Sequence, residues 1–143
     1  MKISILVGSR EILPPIEEFI RKRNPGAELE ITNIDLSSQE EEELSEKYLA
    51  LITANTDIAV IDCGLRWGPH MSDILYRSSI PLIAIATFED METYEHLDVT
   101  DSTAMIFRPL NCADVSFILE TLQRFIDGVQ VATESEVFAY SSR

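Results

Sequence analysis

The stretch TDIAVIDCGL, residues 56–65, contains a run of apolar residues that ends in a single carboxylate, Asp62. A second stretch, IPLIAIAT at residues 80–87, is apolar over most of its length. Short, continuously apolar runs are typical of parallel strands that are covered on both faces. The two stretches therefore predict two buried strands of a parallel sheet.

Other predicted strands and helices alternate with these two strands along the chain. Strands are predicted over residues 3–8, 29–34, 58–63, 80–87 and 104–107. Helices are predicted over residues 15–23, 39–54, 72–77, 89–95 and 113–127. In the last helix, apolar residues from Val115 to Ile126 recur at helical spacing and form one face. Strands that alternate with helices indicate βαβ units and an α/β fold.

The length of the chain, 143 residues, fits one domain. Single domains most often have roughly 100–150 residues. We expect this domain to cover residues 1–128. Residues 129–143 follow Gly128 and show no apolar stripe at helical spacing, which predicts a C-terminal tail or linker.

The chain is strongly acidic, with 11 Lys and Arg residues against 25 Asp and Glu residues and a formal net charge of −14. This charge repels nucleic-acid phosphates and anionic membrane surfaces, so we expect neither as a direct partner. It favours a protein partner with a basic surface instead. The opening MKISILVG lacks the features of a signal peptide, and no apolar run approaches the roughly 20 residues of a membrane span. We therefore predict a cytoplasmic protein.

The two cysteines, Cys63 and Cys112, have neither CxxC spacing nor a neighbouring histidine. In a reducing compartment this pattern predicts free, buried thiols. His70 and His96 are isolated as well, whereas a zinc site normally needs three or four protein ligands. We predict no bound metal and no cofactor.

The carboxyl ends of the predicted strands are the expected place for a ligand, because open parallel sheets bind ligands there. The predicted binding residues at this edge are Gly8, Ser9, Arg10, Asp62, Trp67 and Pro109. Asp62 ends an otherwise apolar strand, where a carboxylate is stable only if it is exposed or paired. Two interpretations of Asp62 stay open: it caps a loop or pairs with Arg108, or it has a catalytic role.

Three stretches resemble parts of the receiver domain of two-component response regulators, and the resemblance covers about residues 3–127. TDIAVIDCGL is similar to the strand whose final Asp accepts a phosphoryl group in that family, and Asp62 takes this position. IPLIAIATF, residues 80–88, is similar to the next strand. FRPLNCADVSFILETL, residues 107–122, resembles the family's Lys-Pro turn and last helix, with Arg108 and Pro109 at the turn.

This resemblance implies a particular α/β fold. It implies a single three-layer domain whose five-stranded parallel sheet has the flavodoxin-like order 2-1-3-4-5, with helices on both faces. The ligand edge of such a sheet lies where the strand order reverses.

The chain departs from the receiver family where the family's phosphorylation chemistry lies. In place of the acidic pair that holds Mg²⁺ after the first strand, it has Val7, Gly8 and Ser9. The family's switch Ser or Thr falls on Ala86, with Thr87 displaced by one residue. Phosphoryl transfer depends mainly on positioning and on charge neutralisation by metal and cation. We therefore expect a degenerate pseudo-receiver, without a catalytic residue and without phosphorylation.

Two further family positions differ, and both bear on signalling. Arg108 stands at the lysine position, where its planar guanidinium does not simply replace a compact ammonium, and Met105 stands at the switch-aromatic position. The family docks partners through the helix predicted over residues 89–95, the fifth strand and the last helix. Glu92 and Glu95 make this face acidic, which would steer a basic partner. We expect a signalling module that acts by protein contact, a second copy of the chain included.

A second resemblance predicts an enzyme instead. LALITANTDIAVID, residues 49–62, and GPHMSDILYRSSIPLIAI, residues 68–85, are similar to nucleoside 2-deoxyribosyltransferases and to TIR-like nucleotide hydrolases. In that alternative the family's catalytic Glu falls near Met71, and the nearest acid is Asp73, two residues away. An N-glycosidase or transferase would then use Asp73 or Asp62.

Overall fold

The structure, a computed structural model, describes residues 1–7, 13–35, 55–62, 68–86, 100, 102–107 and 112–141. The five strands are β1 Lys2–Val7, β2 Glu30–Asp35, β3 Ile58–Asp62, β4 Leu82–Ala86 and β5 Thr103–Phe107. The helices of the described residues are α1 Leu13–Arg23, α2 Gly68–Arg77 and α3 Cys112–Ser141. The helices predicted over residues 39–54 and 89–95 lie outside the described residues.

The five strands form one sheet with the order β2-β1-β3-β4-β5, and every neighbouring pair is parallel. This confirms the predicted sheet and its order. β3 lies between β1 and β4, and its residues from Ile58 to Ile61 are 0% exposed. The continuous apolar run in the sequence is therefore explained by helical cover on both faces of this strand.

Two apolar clusters fill the space on the two faces of the sheet. On one face, α1 and α3 pack over large strand residues such as Ile3, Val60 and Ile83. On the other face, α2 packs through Met71 and Leu75. Residues alternate between these faces along each strand, because successive side chains of a strand point in opposite directions. The result is the predicted arrangement of three layers.

The ends of the helices differ most from the sequence-based prediction in α2 and α3. α2 begins at Gly68 rather than at residue 72, because Pro69 is compatible with the first turn of a helix. α3 does not end at Asp127 but continues through Gly128 to Ser141. Residues 129–141, which the sequence predicts to be part of a tail or linker, are therefore helical. In the described part of the chain, no helix has the length and apolar character needed to cross a membrane.

Exposed ion pairs one turn apart stabilise α1. Arg21 and Lys22 in its last turn pair with Glu17 and Glu18, and the Lys22 Nζ to Glu18 Oε1 distance is 2.9 Å. The hydrogen bond from Lys22, and then its charge, lower the pKa of Glu18 below the ordinary value. Exposed pairs of this kind contribute little to the free energy of unfolding. The apolar face formed by Ile16 and Ile20 is what attaches α1 to the sheet.

α2 ends in a Schellman motif with a serine in the left-handed position. The Ile80 amide donates to the Leu75 carbonyl and the Ser79 amide to the Tyr76 carbonyl, both at 3.1 Å. Ser79 has a φ of +58°, a conformation that glycine adopts without steric strain. Ile80 then packs against the α2 face of the sheet.

We predict that Ser79→Gly raises the free energy of unfolding by about 0.5–1 kcal/mol, because it removes the left-handed strain. Urea unfolding measures this change. Ser78→Gly is the matched control, since Ser78 does not have a positive φ and glycine there only adds entropy to the unfolded chain. A stabilisation by Ser78→Gly equal to that by Ser79→Gly would contradict the assignment.

A buried hydroxyl pair joins β1 to the residue that precedes β3 by two positions. Ser4 Oγ and Thr56 Oγ1 are 2.8 Å apart, and the two residues are only 5% and 8% exposed. A buried polar group without a partner is destabilising, so each hydroxyl satisfies the other.

We predict that Thr56→Val lowers the free energy of unfolding by about 1–3 kcal/mol, because it leaves the Ser4 hydroxyl buried without this partner. The double variant Ser4→Ala/Thr56→Val is expected to lose less than Thr56→Val alone. Thr32→Val on the exposed side of β2 is the control and should have little effect. If the losses in free energy of unfolding from Ser4→Ala alone and from Thr56→Val alone simply add in the double variant, the two hydroxyls are not coupled.

Candidate functional site

The candidate site lies at the carboxyl edge of the sheet. Because all strands are parallel, the last residue of each strand lies at this edge: Val7, Asp35, Asp62, Ala86 and Phe107. The register shows that these ends are level to within one residue, since Val7 pairs with Asp35, Ala86 with Phe107, and Asp62 with Ile85.

The three described helices also begin at this edge. α1, α2 and α3 follow β1, β3 and β5 in the chain, so their amino-terminal ends lie beyond the carboxyl ends of those strands. The positive end of a helix dipole favours negative charge. The first turns of α1 and α2 contain no acidic residue that would neutralise it.

Asp62 is the last residue of the buried central strand β3. Its backbone is in register with Ile85 of β4, and the four residues before it are 0% exposed. The described strand thus places Asp62 at the edge where the sequence predicted it. Arg108 lies outside the described residues, so the pairing of Asp62 with Arg108 stays a prediction.

Asp35 is a second carboxylate at this edge that the sequence-based reasoning missed. It is the last residue of β2, in register with Val7, while Leu6 of β1 is in register with Ile61, the residue before Asp62. Asp35 and Asp62 therefore lie on the two strands that flank β1, and two strand spacings separate their backbones by about 10 Å. The acid that directly follows ITNI in the sequence could have indicated this position.

The structure describes two of the positions that the receiver resemblance assigns to switch residues, and both carry apolar side chains. Ala86 is fully buried in the cluster on the α2 face, and Met105 packs against the same cluster. Met105 is in register with Ala84, two residues before Ala86. These positions therefore extend the core to the end of β4 and offer no hydroxyl or aromatic ring.

Several other predicted site residues cannot be placed, because they lie outside the described residues. These are Gly8, Ser9, Arg10, Trp67, Thr87, Glu92, Glu95, Arg108 and Pro109.

The described residues do not fit the magnesium site that the receiver resemblance implies. β1 ends in Val7, whose side chain cannot bind a metal, where the family has a carboxylate. Among the described residues, no group of three or more His, Cys, Asp or Glu side chains could hold a metal ion.

The acid required by the enzyme alternative lies on α2. Asp73 Oδ1 is 3.0 Å from Arg77 Nε, one helical turn away. Met71, near the position of that family's catalytic Glu, is buried against the sheet at 3% exposure. The described contacts of Asp73 thus include an ion pair within its own helix.

Comparison with known proteins relates this fold to receiver domains. No protein-family model matches the chain, and no curated protein matches it. The receiver domain of NtrX from Brucella abortus is 15% identical with a TM-score of 0.50, and the match covers 85% of this chain and 98% of that domain. The chemotaxis protein CheY4 from Vibrio cholerae is 18% identical with a TM-score of 0.51, and the match covers 87% and 97%.

A longer structure of NtrX from Brucella abortus is 14% identical with a TM-score of 0.50. The match covers 92% of this chain but 29% of that one. Together these neighbours identify the class: the chain has the CheY-like fold of response-regulator receiver domains. Sequence identity this low shows the fold, and the function has to be argued from the site.

Proposed function

We propose that this chain is a receiver-like signalling module that works by protein contact and is not phosphorylated. The observation that supports this proposal is the end of β1, where Val7 stands beside the strands that end in Asp35 and Asp62.

The physical reason is the charge of a phosphoryl group. Its transfer requires cations or metal ions that neutralise the developing negative charge. Asp35 and Asp62 carry the same sign as the phosphoryl group, and Val7 between their strands supplies no metal ligand. An edge of this kind lacks the metal ligand that neutralises charge during phosphoryl transfer to a carboxylate. The module accordingly catalyses no reaction and binds no cofactor, and its response comes from the contacts it makes.

The net charge of −14 supports a partner with a basic surface rather than a nucleic acid or a membrane. Glu92 and Glu95 lie in a stretch from residue 89 to 101 that has six acidic residues and no Lys or Arg. Attraction between opposite charges accelerates encounter with a basic partner. We place this module in the cytoplasm, where reduced Cys63 and Cys112 are expected.

A second copy of the chain is a further partner within this proposal. Phe117 on α3 is a large apolar residue that is 47% exposed. Aromatic residues at the centre of an interface often contribute most of its binding energy. Contact through α3 would bury Phe117 and use part of the face described for the receiver family.

We predict that Mg²⁺ with beryllofluoride, a mimic of an aspartyl phosphate, leaves the ¹H–¹⁵N signals of Asp62, Ile85 and Ala86 unchanged. The double variant Val7→Asp/Gly8→Asp restores the missing acidic pair and is expected to respond to the same addition. This variant is the positive control for the measurement.

Shifts centred on Asp62 in the unaltered chain, absent from Asp62→Asn, would overturn the proposal. They would indicate that Asp62 can be phosphorylated. Modification by a small phosphate donor, detected by mass spectrometry as one added phosphoryl group, would have the same meaning if Asp62→Asn abolished it.

We predict that Phe117→Ser weakens self-association by about fivefold to thirtyfold, since loss of a central aromatic residue reduces the binding free energy by on the order of 1–2 kcal/mol. Sedimentation velocity over a range of concentrations measures it. Ser116→Ala, at the neighbouring exposed position of α3, is the control and should leave association unchanged. A chain that stays monomeric at all concentrations would exclude a second copy of the chain as the partner. A different protein with a basic surface would then remain as the proposed partner.

A further inference from the structure

The long helix α3 is fixed to the core over the part that precedes Gly128. It spans 30 residues, and the buried ones among those whose side chains the structure describes, up to Gln130, are Ile118, Thr121, Leu122, Phe125 and Ile126. Val129 is partly buried and packs against the same cluster. The segment before Gly128, here called the anchored segment, is therefore fixed by the core.

An amide pair also attaches the anchored segment to α1. Asn24 Nδ2 donates to Gln123 Oε1 at 3.0 Å, and Gln123 Nε2 donates back to Asn24 Oδ1 at 3.1 Å. The remaining amide hydrogens go to the Ile20 carbonyl and to Asp127 Oδ1. These contacts hold α3 as far as Asp127, the residue before Gly128.

Nothing in the structure requires a glycine at position 128. A Cβ added there would meet no atom within 4 Å, and the φ of Gly128 is not in the positive range. Alanine would therefore fit without strain. In the interior of a helix, glycine destabilises the helix relative to alanine.

The sequence beyond Gly128 is also poor in strong helix formers. The segment from Val129 to Ser141, here called the distal segment, contains Val131, Thr133 and Val137 among its β-branched residues. Such residues lose side-chain freedom in a helix, and isolated helices of about a dozen residues are marginal in water. Glycine is, in addition, the residue most favoured immediately after the end of a helix. The chain thus contains an earlier position at which α3 could end.

We propose that Gly128 is a switch point at which α3 interconverts between a helix that continues to Ser141 and a helix that ends at Gly128. The distal segment has a fixed direction relative to the sheet in the continuous state and is released in the other. The anchored segment is the same in both states, because the core and the Asn24–Gln123 pair hold it. This inference concerns α3 alone and does not depend on the proposed function.

One cavity differs between the two states and gives the switch a local consequence. Val129 and Gln130 line a cavity of about 470 Å³ together with Met1, Ala27 and Glu28. When α3 ends at Gly128, Val129 and Gln130 leave the wall of this cavity. The continuous helix is therefore the state in which the cavity is complete, and the amides of Ala27 and Glu28, which also line it, report on that state.

Amide hydrogen exchange of the full chain tests this proposal residue by residue. In a continuous helix the amides of residues 132–141 donate to carbonyls at or after Gly128, so they report on the distal segment alone. We expect them to exchange much faster than those of Leu122 and Ile126. Gly128→Ala should raise their protection about fourfold to fivefold, the ratio that corresponds to the difference in helix propensity. The signals of Ala27 and Glu28 should shift with them.

Gly26→Ala is the matched control, since a Cβ at Gly26 also meets no atom within 4 Å and its φ is not positive either. It should leave the distal amides unchanged. Protection that rises equally in both segments would show a general stabilisation and overturn the switch. Distal amides as protected as Leu122 in the unaltered chain, or unaffected by Gly128→Ala, would also overturn it.

Discussion

The parallel pairing of β3 with both β1 and β4 is the constraint on which the rest of this structure depends. Helices cover both faces of β3, and its residues from Ile58 to Ile61 have no exposure. A charge within this strand would lose its hydration without compensation. Polar chemistry is therefore confined to the strand ends, and Asp62 is the last residue of β3. The location of the candidate site thus follows from the same burial that stabilises the sheet.

That burial also explains how a fold can persist when the residues at the carboxyl edge of its sheet differ. The two apolar clusters consist of strand interiors and helix faces, and Ala86 at the carboxyl edge belongs to one of them. Fold and function are separable for this reason. A receiver fold at 15–18% identity is compatible with an edge that holds Asp35 and Asp62 but no acidic pair after β1.

The sequence predicts those features that depend on burial. It misses those that depend on a small difference in free energy between two local backbone conformations. The apolar runs determine the strands and their order along the chain, and the stripe ending at Ile126 determines the anchored face of α3. Asp35 was missed because β2 ends one residue later than its apolar residues do. The distal segment was missed because Gly128 and the β-branched residues after it favour a helix end, while continuation of the hydrogen-bond ladder favours the helix. Small free-energy differences of this kind are not resolved by hydrophobic patterns.

The position of Gly128 has a physical logic in relation to the contacts before it. The Asn24–Gln123 pair satisfies all four amide hydrogens of its two side chains, one of them through Asp127. A partly buried network that is fully satisfied fixes its members in one arrangement. These contacts hold α3 up to Asp127, and the next residue is Gly128. Glycine has the weakest helix propensity apart from proline. Because a firmly attached part of α3 is followed at once by a residue of weak helix propensity, bending and unwinding of the helix are concentrated at Gly128. A glycine nearer the middle of the anchored segment would instead have weakened the packing of α3 on the sheet.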